Sequence, residues 1–280
     1  MIRLAVAALA LASSVIAQDA TTTETDAPKP GTLIACVPEN PNFPYYRGAT
    51  DPAADYPGLY LELIDRIAEH SAIPIDVRRA PWARCMGELR TGQVNMVFTA
   101  SYLPEREALG CYPMRATGRA DRDRMLISHP YHLYVRKADA QRIRITNGQI
   151  EGLETPVAVR AGQSIAVVLG RLGVDYSESR SNAIVFRQLQ NGRVDAAAMI
   201  GNIGDAFIMD MPELMRLEPP LVTRDYYLIM DHASCLADGA AEPIWASMVA
   251  IRDSAWFEER LQQYRQQARW FNQDRDHTER

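Results

Sequence analysis

The chain has 280 residues, a formal net charge of −5 and 23% charged residues. This acidic balance argues against a nucleic-acid-binding protein, which usually presents a basic face. About 250 residues follow the first 30, enough for one large domain or two lobes. Beyond the N-terminus no apolar run approaches the roughly 20 residues that span a bilayer, so we expect a soluble mature protein.

The N-terminus predicts export. Arg3 precedes an apolar stretch from Leu4 to Ala12, and small residues follow as far as Ala17. This order is typical of a secretory signal peptide, and the apolar stretch is too short for a membrane anchor. The sequence therefore predicts a signal peptide over 1–17. Residues 18–30 hold Thr, Asp, Ala and Pro with almost nothing large and apolar, which predicts a flexible leader.

Strand-like and helix-like patterns then alternate, which predicts parallel strands joined by helical crossovers in an open α/β sheet. The predicted elements are a strand at 32–37, a helix with apolar positions Leu59, Leu63, Ile64 and Ile67, a strand at 73–77, a helix with apolar positions Trp82, Cys85, Met86 and Leu89, and a strand at 94–98.

The same pattern returns in the second half. A strand at 156–159, two helices and a strand at 194–199 follow one another. Segments 89–95 and 189–195 match in type at an offset of one hundred, each being a helix end, a glycine C-cap and a strand start. Two related α/β lobes are the economical interpretation, although helix–glycine–strand is a common device.

Two apolar strand candidates, 125–135 and 221–230, flank the second lobe. If both cross between lobes, they form a pair of hinge strands beside a cleft. We predict lobe one over 31–130 and 232–280, and lobe two over 131–231. The tail, with apolar positions such as Trp245 and Phe257, is predicted to supply helices that pack on lobe one.

An even number of cysteines in an oxidising compartment predicts two disulfides, with three possible pairings. Zinc is the alternative, but no CxxC or cysteine–histidine spacing supports it. His129 and His132 lie in a strand-like run, where residues three apart face opposite sides. We therefore expect no metal and no other cofactor. The four cysteines are Cys36, Cys85, Cys111 and Cys235.

Several ordered motifs resemble one family. They are APWARCMGEL at 80–89, GQVN at 92–95, TASYLPER at 99–106, VAVRAGQS at 157–164 and GRVD at 192–195. Over roughly 32–265 the sequence resembles the polar amino-acid family of ABC-transporter solute-binding proteins. The resemblance implies a type II periplasmic-binding fold: two lobes, each an open, mainly parallel sheet flanked by helices, joined by two hinge strands. It also implies a periplasmic, non-catalytic monomer that delivers a small polar solute to a membrane ABC permease.

The predicted anchor is Arg106, which follows the carboxyl end of a parallel strand, the edge where open α/β sheets bind ligands. Its guanidinium can hold a carboxylate with two parallel hydrogen bonds, and Ser101 can donate another. Gln163 and Ser164 precede a helix whose N-terminus suits an anion. The alternatives are a surface pair of Arg106 with Glu105, and Ser164 as a helix cap.

Aromatic side chains are expected around the ligand's body. The resemblance implies this role for Trp82, at the start of the second helix, with core packing as the alternative. Phe43, Tyr45 and Tyr46 lie in the proline-rich loop after the first strand and could form the opposite wall.

One position departs from the family. Amino-acid binders usually carry an acidic residue shortly after the strand matching 194–199, and it accepts the substrate's ammonium group. Here that position is Ile200, beside which an ammonium would lose water without gaining a partner. Asp205 could substitute from the next turn, or Asn202 could bind a neutral group. We therefore expect a carboxylate-bearing solute, an organic acid or amino-acid-like, without assuming an α-amino acid.

The topology also bears on the cysteines. In a doubly wound sheet the second helix crosses over the first strand, which brings Cys85 near Cys36 and leaves Cys111 and Cys235 to pair by elimination. Sequence alone does not decide this pairing. Free buried thiols are the alternative.

Two other functions stay open. A periplasmic enzyme on this scaffold, such as a dehydratase, would need a general acid or base facing the cleft. Glu39, Glu62 and Asp205 are the candidates near it, and none lies in a catalytic motif. The third possibility is a ligand-sensing partner of a membrane receptor.

Overall fold

A computed structural model describes residues 31–39, 42, 44–47, 56–236 and 239–274, with side chains described as far as residue 267. The predicted signal peptide and leader lie outside the described residues, and so does Phe43. Within the described part of the chain, every helix is too short or too polar to span a lipid bilayer.

The elements follow the predicted alternation. The strands are β1 (Leu33–Pro38), β2 (Ile75–Ala80), β3 (Met96–Ser101), β4 (Ile127–Arg136), β5 (Arg144–Thr146), β6 (Gln149–Glu151), β7 (Val157–Arg160), β8 (Tyr176–Ser179), β9 (Ala196–Ile200), β10 (Leu214–Arg216) and β11 (Val222–Met230). The helices are α1 (Leu59–Ser71), α2 (Trp82–Arg90), α3 (Ser164–Arg171), α4 (Asn182–Gln190), α5 (Gly201–Ile208), α6 (Ala241–Arg252) and α7 (Ala255–Asp274).

One curled sheet runs through both halves in the order β2-β1-β3-β11-β4-β9-β7-β8, with β10 beside β4. β1 is parallel to β2 and β3, and β7 is parallel to β8 and β9. Between these parallel sets, β11 runs antiparallel to β3 and β4, and β4 runs antiparallel to β9. The predicted open sheets and the two crossing strands are confirmed.

The buried apolar residues separate in the same way. Two clusters on the faces of β1 and β3 draw their buried members from 35–126 and 227–264. Two others around β7 and β9 draw theirs from 131–221. The two lobes therefore have separate cores, and α6 and α7 pack on lobe one as predicted. The exact boundaries at 131 and 231 stay a prediction.

The repeated helix–glycine–strand device is present in both lobes. Gly92 follows α2 with φ +71°, and Gly192 follows α4 with φ +68°. Nothing lies within 4 Å of the position that a Cβ would take at either glycine. The left-handed backbone, rather than lack of space, therefore favours glycine at both positions.

The strand predicted at 73–77 is shifted, because β2 begins at Ile75 and Val77 is 41% exposed. β2 is an edge strand, so one of its faces is less covered than the alternation suggests. β8, the β5–β6 hairpin and β10 have no counterpart among the predicted elements. β8 reads YSES and lies at the other edge, where a polar strand needs no apolar stripe.

Both predicted disulfides are confirmed, so the alternative of free thiols is wrong. Cys36–Cys85 joins β1 to α2 with Cα atoms 5.5 Å apart. Cys111–Cys235 joins the loop after β3 to the segment after β11, with Cα atoms 6.6 Å apart. Both separations lie in the usual disulfide range. The second bridge fastens the point where the chain leaves the hinge and returns to lobe one.

Glu62, one of the acids considered for catalysis, has a structural role instead. Its carboxylate accepts hydrogen bonds from Arg260 Nε and Nη2, each at 2.7 Å, and from Tyr264 Oη at 2.6 Å. The Tyr264 hydroxyl in turn accepts from the backbone N–H of Gly58 at 2.9 Å. The cluster joins α1 to α7. Glu62 does not line the cavity between the two lobes that is described below.

We predict that Glu62→Gln lowers the free energy of unfolding by about 2 kcal/mol, because a largely buried guanidinium loses its carboxylate. Glu69→Gln, on the exposed face of the same helix, is the matched control and should change it by less than about 0.5 kcal/mol. Denaturant unfolding followed by circular dichroism measures both. Equal stability of the two variants would contradict the structural role.

Candidate functional site

The cavity lies where the two sheets face each other. β1, β2 and β3 end at one wall, and β7, β8 and β9 end at the other. The carboxyl ends of parallel strands carry loops and helix N-termini, so both walls present polar backbone groups beside their side chains. The space between the walls is about 810 Å³, a volume that includes the part open to solvent. Its lining is Pro38, Asn42, Tyr46, Tyr60, Trp82, Thr99, Ser101, Arg106, His129, Tyr131, Arg160, Ala161, Gly162, Gln163, Ser164, Asn182, Ile200, Ile203 and Tyr226.

Five of the predicted ligand-binding residues meet in this lining: Trp82, Ser101 and Arg106 from lobe one, and Gln163 and Ser164 from lobe two. The structure therefore brings together the two walls that the sequence analysis paired. That these five contact a ligand stays a prediction.

Arg106 reaches across the cavity. Its Nη1 donates to the carbonyl oxygen of Ser101 at 3.0 Å and to the Ser101 hydroxyl at 2.8 Å. Its Nη2 donates to the carbonyl oxygen of Gly162, in the opposite lobe, at 3.2 Å. The alternative of a surface pair with Glu105 is wrong, since Glu105 pairs with Arg171 instead.

Two further contacts join the lobes. Glu105 and Arg171 form an ion pair at 2.7 Å between the 3₁₀ helix Pro104–Ala108 and α3. The Trp82 ring lies against Gly162, where a Cβ would come within 3.5 Å of Trp82 Cδ1. The lobes therefore touch beside the cavity, and Trp82 packs at that contact rather than in a core alone.

The helix N-terminus predicted in lobe two is present, but Ser164 does not cap it. α3 begins at Ser164, Gln163 is the N-cap residue, and no side chain bonds to the free N–H groups. The Ser164 hydroxyl is buried, 2% exposed; the Tyr131 and Tyr226 hydroxyls lie near it, but neither is placed to form a well-aligned hydrogen bond with it. A helix start with unpaired N–H groups and an unpaired hydroxyl can take an anion or a polar group.

Buried polar atoms without a partner are concentrated in this cavity. Within the described residues, six buried side-chain oxygens have no hydrogen-bond partner in the protein. One belongs to Glu88, and the other five line the cavity: Asn42 Oδ1, Tyr60 Oη, Gln163 Oε1, Ser164 Oγ and Asn182 Oδ1. Each such oxygen lowers the stability of the folded protein by about 1–3 kcal/mol. This pattern is typical of a binding site rather than of a core.

Tyr45, predicted as a ligand contact, does not line the cavity. Its ring is buried and stacks on Tyr60, with centroids 4.5 Å apart. Tyr60 and Tyr46 form that wall instead. Tyr45 thus supports the wall from behind.

Asn202 and Asp205 also lie outside the lining. Asn202 is exposed at the start of α5. The Asp205 carboxylate accepts from Tyr134 Oη at 2.9 Å and from Arg216 Nη1 at 2.5 Å. With these partners Asp205 does not substitute for the acid that Ile200 replaces, while Ile200 itself does line the cavity.

The hinge strands supply side chains that the sequence analysis missed. His129 and Tyr131 of β4 and Tyr226 of β11 line the cavity floor, and the two tyrosine hydroxyls are 2.8 Å apart. The signal was the spacing of two between His129 and Tyr131, which puts both on one face of a strand. His129 is thus a cavity residue rather than a candidate metal ligand. Within the described residues, no group of three or more His, Cys, Asp or Glu is placed to hold a metal ion.

The remaining acid considered for catalysis, Glu39, is exposed and absent from the lining. Among the described lining residues there is no Asp or Glu. The cavity thus offers arginines, amides, hydroxyls and aromatic rings, which suit recognition of a polar anion.

No family model matches the sequence, and no curated protein matches it. Solved structures of similar fold do match. The GluR0 ligand-binding core from Nostoc punctiforme, in complex with L-glutamate, has a TM-score of 0.63 at 15% identity, over 83% of this chain and 98% of that chain. ArtJ from Geobacillus stearothermophilus, an arginine-, lysine- and histidine-binding protein, has a TM-score of 0.64 at 12% identity, over 83% and 94%.

A histidine kinase sensor domain with similarity to periplasmic binding proteins has a TM-score of 0.64 at 16% identity, over 83% of this chain and 95% of that chain. These similarities confirm the predicted resemblance at the level of the fold. The chain has the two-lobed, type II fold of amino-acid-binding periplasmic proteins.

We predict a pH effect from His129. Burial, with Arg265 nearby as the second cause, lowers the pKa of His129 from 6.5 to about 4. Between these values the unfolded chain binds a proton that the folded chain does not, so stability falls as pH drops from 6.5 towards 4. Between pH 7 and pH 4.5, the free energy of unfolding of the unsubstituted chain should fall by about 2–3 kcal/mol more than that of the His129→Gln variant. Urea unfolding at both pH values measures this, and equal losses would contradict it.

Proposed function

We propose that this chain is a periplasmic solute-binding protein that closes on a small polar, carboxylate-bearing solute and delivers it to a membrane ABC permease. In this proposal residues 1–17 direct export and residues 18–30 are the leader of the mature chain. Residues 131–231 form the lobe that moves against the rest. The cleavable segment and the two disulfides both fit an oxidising, extracytoplasmic location.

The observation that carries the proposal is the set of five unpaired buried oxygens in one cavity between two lobes. They come from both walls: Asn42 and Tyr60 from lobe one, and Gln163, Ser164 and Asn182 from lobe two. A solute that pairs with both sets favours the closed arrangement, because it gains all its contacts only when the walls meet.

Arg106 is proposed to hold the carboxylate. It lies at the carboxyl edge of lobe one, and Ser101 orients its guanidinium. The proteins of similar fold include a ligand-binding core in complex with L-glutamate and an arginine-, lysine- and histidine-binding protein, which supports a small polar solute. Trp82, Gln163 and Ser164 complete the proposed contacts.

A second candidate is ligand sensing, in which the closed form binds a membrane receptor. The similarity to a histidine kinase sensor domain favours it. Crosslinking of the solute-loaded protein to its native membranes, followed by mass spectrometry, separates the two. Recovery of permease subunits supports transport, and recovery of a receptor or kinase supports sensing.

We predict that native mass spectrometry of protein taken from the periplasm, never refolded, shows a retained small acid. At a hundred times its dissociation constant, that solute should stabilise the fold by about 2.7 kcal/mol. For a chain of this size, the melting temperature should rise by about 5–10 °C. Absence of any retained solute, together with no shift across a broad panel of acids, amino acids and sugars, would contradict the proposal.

We predict that Arg106→Gln weakens binding of that solute by about tenfold to a hundredfold, because charged hydrogen bonds are lost. Arg90→Gln is the matched control, since Arg90 is exposed at the far end of α2. Calorimetric titration measures both dissociation constants. Unchanged affinity in Arg106→Gln would remove Arg106 from the site.

A further inference from the structure

The cavity has an unbalanced positive charge. Arg106 of lobe one and Arg160 of lobe two are the side chains in the described lining that are charged at neutral pH, and that lining holds no carboxylate. His129 adds no charge, because burial lowers its pKa to about 4. Burial also raises the pKa of Tyr131, and that of Tyr226 rises well above 10, so both hydroxyls stay neutral.

Arg160, the last residue of β7, makes no contact with an acidic group among the described residues. Within the described residues, its guanidinium makes no hydrogen bond and no ion pair, and burial lowers its pKa. An arginine nevertheless stays protonated in a protein. Elsewhere in the same lobe, Arg136 and Arg142 share Asp195, each at 3.2 Å. Arg160 is thus a part-buried cation that the fold leaves without a counter-charge, which is unfavourable unless a ligand supplies one.

The charge of Arg106 is also uncompensated, because its partners are carbonyl and hydroxyl oxygens. Its contact with Gly162 brings it to the loop that begins just after Arg160. Glu178 accepts from the Gly162 N–H at 3.3 Å, but it is exposed, outside the lining and in no ion pair with either arginine. Two cations therefore flank one loop in a part-closed cavity, where their repulsion is stronger than in water.

The apolar part of lobe two excludes a cation. Ile200, 6% exposed, and Ile203 line the cavity where an amino-acid binder would accept an ammonium. Asp205, the next acid along the chain, is paired with Arg216. An ammonium here would lose its hydration without a partner and would meet two positive side chains.

From these charges we infer that the ligand is a small dianion without an ammonium group, its negative charge shared between Arg106 and Arg160. For an organic acid this means a dicarboxylate or a phosphate monoester. The inference rests on the proposed function and names its substrate class. Side-chain amides and hydroxyls, with aromatic rings, would surround the neutral part of the molecule.

Matched probes test the charge of the ligand. Isothermal titration calorimetry compares glutarate (two carboxylates) with butyrate (one) and with glutamate (two carboxylates and an ammonium), and glycerol 3-phosphate with glycerol. A dianion should bind at least tenfold tighter than its monoanionic, neutral or ammonium-bearing counterpart. If glutarate binds more tightly than glycerol 3-phosphate, the acidic groups of the ligand are carboxylates; if glycerol 3-phosphate binds more tightly, the acidic group is a phosphate. The solute recovered from the periplasm gives a second readout, its expected charge being −2 with no amine.

Variants at Arg160 test its role. Arg160→Gln should weaken binding of the dianion at least tenfold and binding of the monoanion less than threefold. Arg160→Lys should keep the preference for the dianion, because it keeps the positive charge. Arg187→Gln, exposed on α4, is the control and should change neither. Circular dichroism and unfolding curves verify the fold of each variant, and Arg160→Lys serves if Arg160→Gln does not fold.

Equal losses for dianion and monoanion in Arg160→Gln would overturn the inference. So would glutamate binding as tightly as glutarate, or recovery of a neutral or ammonium-bearing solute. In these cases a solute still occupies the cavity, so the proposed function stands while the inference that the ligand is a dianion fails. If no probe binds and no solute is recovered, both fail together.

Discussion

The pairing of β4 with β11 is the constraint on which the rest of the structure depends. Their antiparallel register runs from Val222 opposite Tyr131 to Tyr226 opposite Ile127. Each strand also continues a lobe sheet, β11 beside β3 and β4 beside β9. Over the residues that the structure describes, the chain therefore passes between the lobes at these two strands, and the two carboxyl edges are held facing each other. Because ligand groups gather at such edges, this pairing creates the site.

The cavity is built at the expense of local stability. Within the described residues, five buried oxygens there make no hydrogen bond and two cations have no carboxylate partner, and each is unfavourable in the free protein. Other parts of lobe one offset this cost, notably two disulfides and the carboxylate–guanidinium–phenol cluster of Glu62, Arg260 and Tyr264. Polar and charged groups without protein partners, in a fold most of whose other polar groups are paired, are expected at functional sites.

Fold and ligand chemistry are separable in this protein. Its backbone matches amino-acid-binding structures at 12–15% identity, which shows a shared arrangement of lobes and hinge. By its sequence resemblance the chain carries Ile200 where an amino-acid binder has its ammonium acceptor. Arg160, at the end of the neighbouring strand β7, makes no hydrogen bond or ion pair with the described residues. Since ligand identity resides in the site rather than in the fold, the charges of the cavity are the better guide to the solute.

The sequence by itself determined the backbone plan. Periodicity predicted the alternation, the glycines at 92 and 192 marked the repeat, and the crossover topology brought Cys36 to Cys85. It also placed Arg106 and Ser164 at carboxyl edges, since that position follows from strand direction alone. Only the tertiary structure decided which polar groups find partners. Asp205 pairs with Arg216, Glu62 pairs with Arg260, and Arg160 has no ion-pair partner in the described part of the chain, because partners distant in the chain meet only after packing. Local patterns report backbone periodicity; they do not report long-range charge pairing.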